Sequence, residues 1–390
     1  MSAQAKKKPV VGLVMAGGGA RAAYQVGVLK AIAEMLPEGC PNPFPVLSGV
    51  SAGAINAAAL AIWARRFHSG VRRLHYVWRN FRVHHVYRAD TLGLLGTGLH
   101  WLVALMFGGL GRRNPHALLD RAPLKELLVR HMPCEEIQAS IEAGALRALS
   151  VTCSGYESGD SVIFYQGADT IAPWKRANRF GVPERITVDH LLASSAIPFL
   201  FAAVPINREY FGDGSMRHAA PISPALHLGA DRVLVIGVRE DSTAPRTPRP
   251  HSAGYPSLAQ IAGHVLDSIF LDALSADLER LQRINRTISL IPQDTLQEGG
   301  VTLRHVQVLV IAPSQDLEQI AARYVEHLPR TLRFLFRRAG VFKRGGSNLA
   351  SYLLFERPYT NALMALGYAD AMVRRDEILD FLNTEGREPA

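Results

Sequence analysis

Short unbroken apolar runs alternate along this chain with longer stretches whose apolar positions recur every three or four residues. Val10 to Met15 carries no polar side chain and is too short for a helix, so it reads as a buried strand, with a helix from about Ala22 to Met35 behind a glycine turn. Phe44 to Ser48 is a second short strand, Gly49 to Gly53 a tight turn, and Ala54 to Trp63 an alanine-rich helix. Asn114 to Met132 has Leu118, Leu119, Leu124, Leu127 and Leu128 near helical spacing and reads as an amphipathic helix. Ala148 to Ser154 and Ser161 to Gln166 alternate as strands, joined by turn residues into a hairpin. His190 to Phe199 reads as a helix stopped by Pro198, Val204 to Ile206 as a strand, and Arg232 to Val238 as another buried strand. Ser257 and Gln260 have the spacing of a capping box that opens a long helix to about Ile288. Val306 to Ile311 is a strand, Ser314 is placed to cap the helix after it, and Ser351 to Phe355 with the following helix reads as C-terminal packing. No internal repeat is present.

Bulk properties narrow the function classes. At 390 residues, 48% hydrophobic and 20% charged, the chain is globular and long enough for one large or two smaller domains. Its formal charge of +9 favours acidic partners. No zinc-finger spacing, RNA-binding aromatic signature or sustained basic helix is present, which turns the expectation from nucleic acid towards an anionic membrane surface. Cys40, Cys134 and Cys153 cannot all pair within one chain and lack metal-ligand spacing, and the fourteen histidines form no His-Glu-x-x-His array. No metal or other cofactor is expected. The basic N-terminus lacks a long apolar segment behind it, so the expectation is a cytoplasmic protein rather than a secreted one.

The turn Gly49-Val50-Ser51-Ala52-Gly53 sits between a strand and a helix, the setting of a nucleophile elbow. Gly49 and Gly53 remove side chains that would crowd a strained serine. The helix behind it aims N–H groups at any negative charge developing there. Ser51 is therefore the candidate nucleophile, against the blander reading of a close-packed turn. Gly17-Gly18-Gly19-Ala20-Arg21-Ala22 supports two readings. It matches a dinucleotide fingerprint, with Glu34 or Glu38 as ribose partner. Alternatively its N–H groups form an oxyanion hole, and only that reading also uses the serine elbow. Asp213, between Gly212 and Gly214 after an aromatic strand end, is placed where a carboxylate enters a site without obstruction.

Together these segments resemble the patatin-like phospholipases. The resemblance rests on the glycine loop Gly17 to Arg21, the elbow Gly49 to Gly53, and Asp213-Gly214-Ser215, with Ala193 to Pro198 similar to the segment before the family's aspartate. Ala22 stands where the family has another glycine, and Ser215 where it has glycine or alanine. The resemblance implies an α/β fold, a three-layer α/β/α sandwich with a mostly parallel sheet and a helical C-terminal extension. It also implies lipid acyl-ester hydrolysis by a Ser51/Asp213 dyad, with an oxyanion hole at Gly17, Gly18, Gly19 and Ala20 and support from Arg21, Gly49, Gly53 and Gly214. Arg21 is read as fixing the loop, meeting a lipid phosphate, or making a surface salt bridge. An aspartate near its ordinary pKa is a poor base, so the site is expected to be partly desolvated. The rival triad partner is His218, five residues beyond Asp213. A nucleotide-binding oxidoreductase and a non-catalytic lipid-binding protein are the competing functions.

Residues 1–238 are expected to form the catalytic domain, 239–257 a linker, and 258–390 a mainly helical region packed on it. Within the first, Thr91 to Gly111 holds no Asp, Glu, Lys or Arg and lies between arginines, but six glycines and His100 interrupt it. Membrane span, buried helix and interfacial lid are all compatible with it, and a lid or membrane-contact insertion fits best. The arginine-rich stretch from Ile62 to Asp90 and the basic segment Leu328 to Arg344 read as solvated faces or membrane-facing ones.

Overall fold

The computed structural model describes residues 9–88, 106, 116–218, 220–239, 257–270, 272–292, 303–339 and 347–383. Thr91 to Gly111, apart from Met106, and most of the 239–257 linker lie outside the described residues. The chain opens with β1 (Val11–Met15), α1 (Ala23–Met35), β2 (Val46–Val50), α2 (Ala52–Ile62) and α3 (Phe67–Arg79). It continues with α4 (Ala122–His131), α5 (Glu135–Glu142), β3 (Ala148–Gly155), β4 (Ser161–Gly167), β5 (Trp174–Arg176), β6 (Arg179–Pro183) and α6 (Val188–Ser194). After β7 (Val204–Ile206) and β8 (Glu209–Asp213) come α7 (Ser223–His227), β9 (Arg232–Ile236), α8 (Leu258–Phe270) and α9 (Asp272–Ser289). The last elements are β10 (Gln307–Ile311), α10 (Leu317–Tyr324), α11 (Arg330–Ala339), α12 (Ser347–Leu353), α13 (Arg357–Val373) and α14 (Arg375–Asn383).

The strands form one mixed sheet in the order β10-β9-β1-β2-β3-β4-β6-β5, with β8 pairing β3 and β7. From β10 to β3 every pair is parallel, and β4 and β8 both run antiparallel to β3. Apolar residues on successive positions face opposite sides, as the pleat requires. Leu13, Met15, Leu234, Ile236, Leu309 and Ile311 join the larger core. Val14, Val233, Val235, Val308 and Val310 join a second cluster on the other face, which Ala225, Leu228, Leu274 and Leu278 cover. The sheet is thus filled on both sides, the three-layer arrangement that the family resemblance implied.

The region after residue 257 enters this framework directly. β10 extends the sheet beside β9, and α13 crosses α1 so closely that side chains are excluded at the contact. A Cβ on Gly27 would stand 2.0 Å from the Met364 carbonyl oxygen, and one on Gly367 would stand 2.2 Å from that of Tyr24. The Tyr24 hydroxyl donates to Asp370 at 2.9 Å across the same crossing.

Several boundaries differ from the sequence reading for local reasons. The helical part of the Asn114 to Met132 segment begins only at Ala122, with Pro123 in its first turn. Leu118 and Leu119 instead donate backbone hydrogen bonds to Phe199 and Leu200. α6 begins at Val188, after a Thr187 N-cap, and ends at Ser194, so Ser195 to Phe199 leave the helix. The Ser257–Gln260 capping box forms as expected, but the long helix is two, α8 and α9. Asp316, not Ser314, caps α10 by accepting from the Glu318 N–H at 2.8 Å. The Ser314 hydroxyl donates to Asp370 instead. All three cysteines are free thiols. No helix among the described residues is long and apolar enough to cross a membrane.

Candidate active site

Ser51 lies between the end of β2 and the start of α2 with φ 55° and ψ −131°. A positive φ is costly for a residue with a Cβ and persists only where surrounding contacts enforce it. Here the Ser51 N–H donates to Ser194 Oγ at 2.8 Å, and that hydroxyl donates to the Thr152 carbonyl at 2.7 Å. The flanking glycines are steric necessities. A Cβ on Gly53 would stand 2.3 Å from the Met15 carbonyl oxygen, and one on Gly49 2.5 Å from that of Gly53. Ser51 itself is 2% exposed.

Asp213 ends β8 opposite Cys153, and its N–H donates to the Ala196 carbonyl at 2.9 Å. Only 1% of it is exposed. Burial pushes its carboxyl up to about 6, as the expected desolvation required. The Ser215 N–H, the Ser51 hydroxyl, the Ser215 hydroxyl and the Arg121 charge act in the opposite direction. Oδ1 accepts the Ser215 N–H at 2.9 Å. Oδ2 has no hydrogen bond of normal geometry among the described residues, although the Ser51 hydroxyl lies near enough to favour the ionised form. Gly214 is again required by close approach, since a Cβ there would stand 2.0 Å from the Thr152 carbonyl oxygen.

The glycine loop crosses over this pair. A Cβ on Gly17 would stand 3.1 Å from the Ser51 Cβ, 2.6 Å from Ser215 Oγ and 2.9 Å from the Phe270 ring. Among the described residues, the N–H groups of Gly17 and Gly18 find no acceptor within the protein. Gly19, at φ +54°, backs onto the Tyr352 carbonyl. Ala20 follows it in the short 3-10 turn and is fully buried. Arg21 turns away from the serine into the C-terminal region. Its guanidinium donates to Ser351 Oγ at 2.8 Å, to Asn348 Oδ1 and to Asp267, and stacks 4.0 Å from the centre of the Tyr352 ring. Of its three sequence readings, only loop anchoring fits a side chain this buried.

Other sequence candidates lie elsewhere or are differently engaged. His218 is buried and pushed down to about 4 by desolvation, then by the Arg179 charge, so it is neutral. Neither ring nitrogen has a hydrogen bond among the described residues. Glu34 is at the far end of α1, about 18 Å from the loop by helical rise, and is held by Lys30 and Tyr368. Glu38 pairs with Arg72. The ribose contact of the dinucleotide reading is therefore not assembled. Two contributors were given no role by the sequence reading, although Ser194 lies in the Ala193 to Pro198 segment that the resemblance singled out. Ser194 holds the elbow, and Arg121, just before α4, brings a positive charge towards Asp213 while donating to the Leu192 carbonyl at 2.6 Å.

From Ser51 and Gly19 a cavity of about 590 Å³ runs along the α2 face formed by Ala52, Ile55, Ala59 and Ile62. Leucines of α4 and aromatic residues of α3 and the C-terminal region close it, and Arg72, Arg73 and Tyr76 stand at its rim on α3.

A family model described as patatin-like phospholipase matches residues 13–226, from β1 into α7, across the loop, elbow and aspartate segments. The chain belongs to the patatin-like phospholipase family. Patatin-like phospholipases are lipid acyl hydrolases, and that is the class in which this chain stands. No curated protein matches it. Among solved structures, VipD from Legionella pneumophila aligns with a TM-score of 0.36 at 12% identity, covering 95% of this chain and 67% of that one. That likeness is too loose to bear on function.

The raised Asp213 carboxyl has a consequence for stability. An acid whose pKa is higher folded than unfolded stabilises the fold while protonated, and that advantage is lost as pH rises through the folded value. Asp213→Asn, which never ionises, is therefore expected to gain about 2–3 kcal/mol over the native protein at pH 8, shrinking towards zero as pH falls from 6 to 4. Urea melts across that range check it, and a pH-independent difference would contradict a buried, titrating carboxylate.

Proposed function

We propose that this patatin-like phospholipase cleaves fatty-acyl esters of phospholipids or lysophospholipids through a Ser51 acyl-enzyme, with Asp213 as the base. The observation that carries the reading is the burial of the Ser51 hydroxyl and Asp213 carboxyl together beneath Gly17, at one end of a cavity of about 590 Å³. In the proposed reaction Asp213 takes the Ser51 proton while Oγ attacks the ester carbonyl carbon. N–H groups from Gly17 to Ala20 and the N-terminus of α2 receive the oxyanion. Collapse expels the alcohol, which takes the proton from Asp213 and leaves an acyl-serine. Asp213 then deprotonates a water that attacks the acyl carbonyl, releasing the fatty acid and restoring Ser51. The acyl chain lies along α2.

We also propose a peripheral position at an anionic lipid surface on the cytoplasmic side. The support is the basic α3 face at the cavity rim, where Tyr76 is 71% exposed beside Arg72, Arg73 and Arg79. α11 offers a second such face, its Leu332 and Phe336 packed inward and Phe334 63% exposed among arginines.

On a phospholipid panel, Ser51→Ala is expected to lose about 10⁴-fold or more in turnover and Asp213→Asn about 10³-fold, with a fluorophosphonate probe labelling Ser51 alone. Since the base acts only when ionised, kcat/KM should rise with pH through about 6. Full activity in Ser51→Ala, or labelling elsewhere, removes the mechanism. Ala59→Phe fills the cavity midway along α2 and should cost long-chain esters about tenfold relative to butyrate esters. Equal losses for both would mean the chain does not lie there. Ser51→Ala protein should partition to anionic over neutral vesicles and be released by salt, and indifference to lipid charge would rule out the basic docking face.

A further inference from the structure

We propose that Ser215 is a positioning residue of the Ser51–Asp213 pair: its hydroxyl and N–H together hold the Asp213 carboxylate in place against Ser51 and keep it ionised. The proposal rests on the reading of Asp213 as the base, and it concerns a position where the family resemblance leads one to expect glycine or alanine. Neither of those carries a hydroxyl.

The backbone turns sharply after Asp213 into a single 3-10 turn, Gly214–Arg217, and this brings the Ser215 N–H to Oδ1 at 2.9 Å. The same turn buries the Ser215 side chain, which is 6% exposed. Its Oγ would stand 2.6 Å from a Cβ on Gly17, the loop residue that also crosses Ser51. The hydroxyl therefore lies against the glycine loop, two residues on from the carboxylate whose Oδ1 the Ser215 N–H binds. Like Asp213 Oδ2, it has no hydrogen bond of normal geometry to any described residue, although it lies near enough to Asp213 to favour the ionised carboxylate. A buried hydroxyl without a partner is costly, and the carboxylate is the acceptor within its reach.

The charges around Asp213 give this donor its weight. Arg121, from the segment before α4, is the cation that favours ionisation of the carboxylate, and its guanidinium is itself pushed down to about 10 by burial. Cys153 on β3 and Tyr156 in the β3–β4 turn face the carboxylate as neutral groups, both pushed up by burial and then by the Asp213 charge. Ser51 is the remaining neighbour, and it must give its proton away during the reaction. Against full burial, Ser215 thus supplies two of the donors that keep the base charged at neutral pH, and both remain while Ser51 reacts.

Ser215→Ala tests the hydroxyl alone, because it keeps the N–H and leaves the glycine loop more room. The acid limb of kcat/KM is expected to move up by about one pH unit, so activity at pH 5.5 falls about tenfold, while the plateau at pH 8.5 stays within about threefold of native. Ser215→Gly should move the limb in the same direction. A limb that coincides with native in both variants, or a uniform loss across pH 5–9, overturns the role of the hydroxyl. Asp213→Asn measured alongside separates the two readings. If it is active, the base assignment fails. If it is dead and the limbs coincide, only the Ser215 assignment fails.

Discussion

One short segment holds both halves of the site. Ser194 accepts the Ser51 N–H through its hydroxyl, and two residues later the Ala196 carbonyl accepts the Asp213 N–H. The strained elbow and the end of β8 are thereby tied to the same stretch of backbone, where α6 ends in a run of turns. Ser194 is also bonded to Thr152 in β3, so the tie is anchored in the sheet and not in a loop. Relaxation of the elbow towards ordinary backbone angles would have to break that bond. The strain at Ser51 is thus borne by the rigid part of the fold.

The second constraint is a carboxylate removed from water. Burial alone would protonate Asp213 near neutrality, and the donors around it pull the equilibrium partly back. An intermediate value suits the role proposed for Asp213, a base that accepts a proton and then returns it, since either extreme would block one half of that cycle. The arrangement is unfavourable for stability, a cost common where function needs a buried charge.

The glycine loop depends on parts of the chain far from it. Its Arg21 is held by Ser351, Asn348 and Asp267, and its glycines rest on Tyr352 and Phe270. Asp267 also accepts from Tyr352 and Asn348, so the guanidinium sits in a closed polar network stacked on an aromatic ring. All five partners follow residue 226, where the family match ends. The loop geometry at the serine is therefore completed by α8 and α12, and β10 and α13 fix that region against the sheet and α1.

Local chemistry made much of this legible from the order of residues. Continuous apolar runs such as Val11 to Met15 are buried whole, so these strands could be read, and the glycines at 49, 53 and 214 announced the places where backbones approach. The Ser257–Gln260 capping box could be read because both partners lie within one helical turn. Contacts between remote segments were beyond such reading. Nothing near Arg21 indicates Asp267 or Asn348, nothing near Ser51 indicates Ser194, and the start of α4 at Ala122 rather than Asn114 follows from pairing with Phe199 and Leu200. Ser314 and Asp316 are equally good caps by composition, and Asp370, more than fifty residues away, decides which is free to act. Sequence settled what short-range sterics and periodic burial enforce. The partners of buried polar groups were settled by the folded chain alone, because a hydrogen bond between distant residues depends on where the backbone has already been brought.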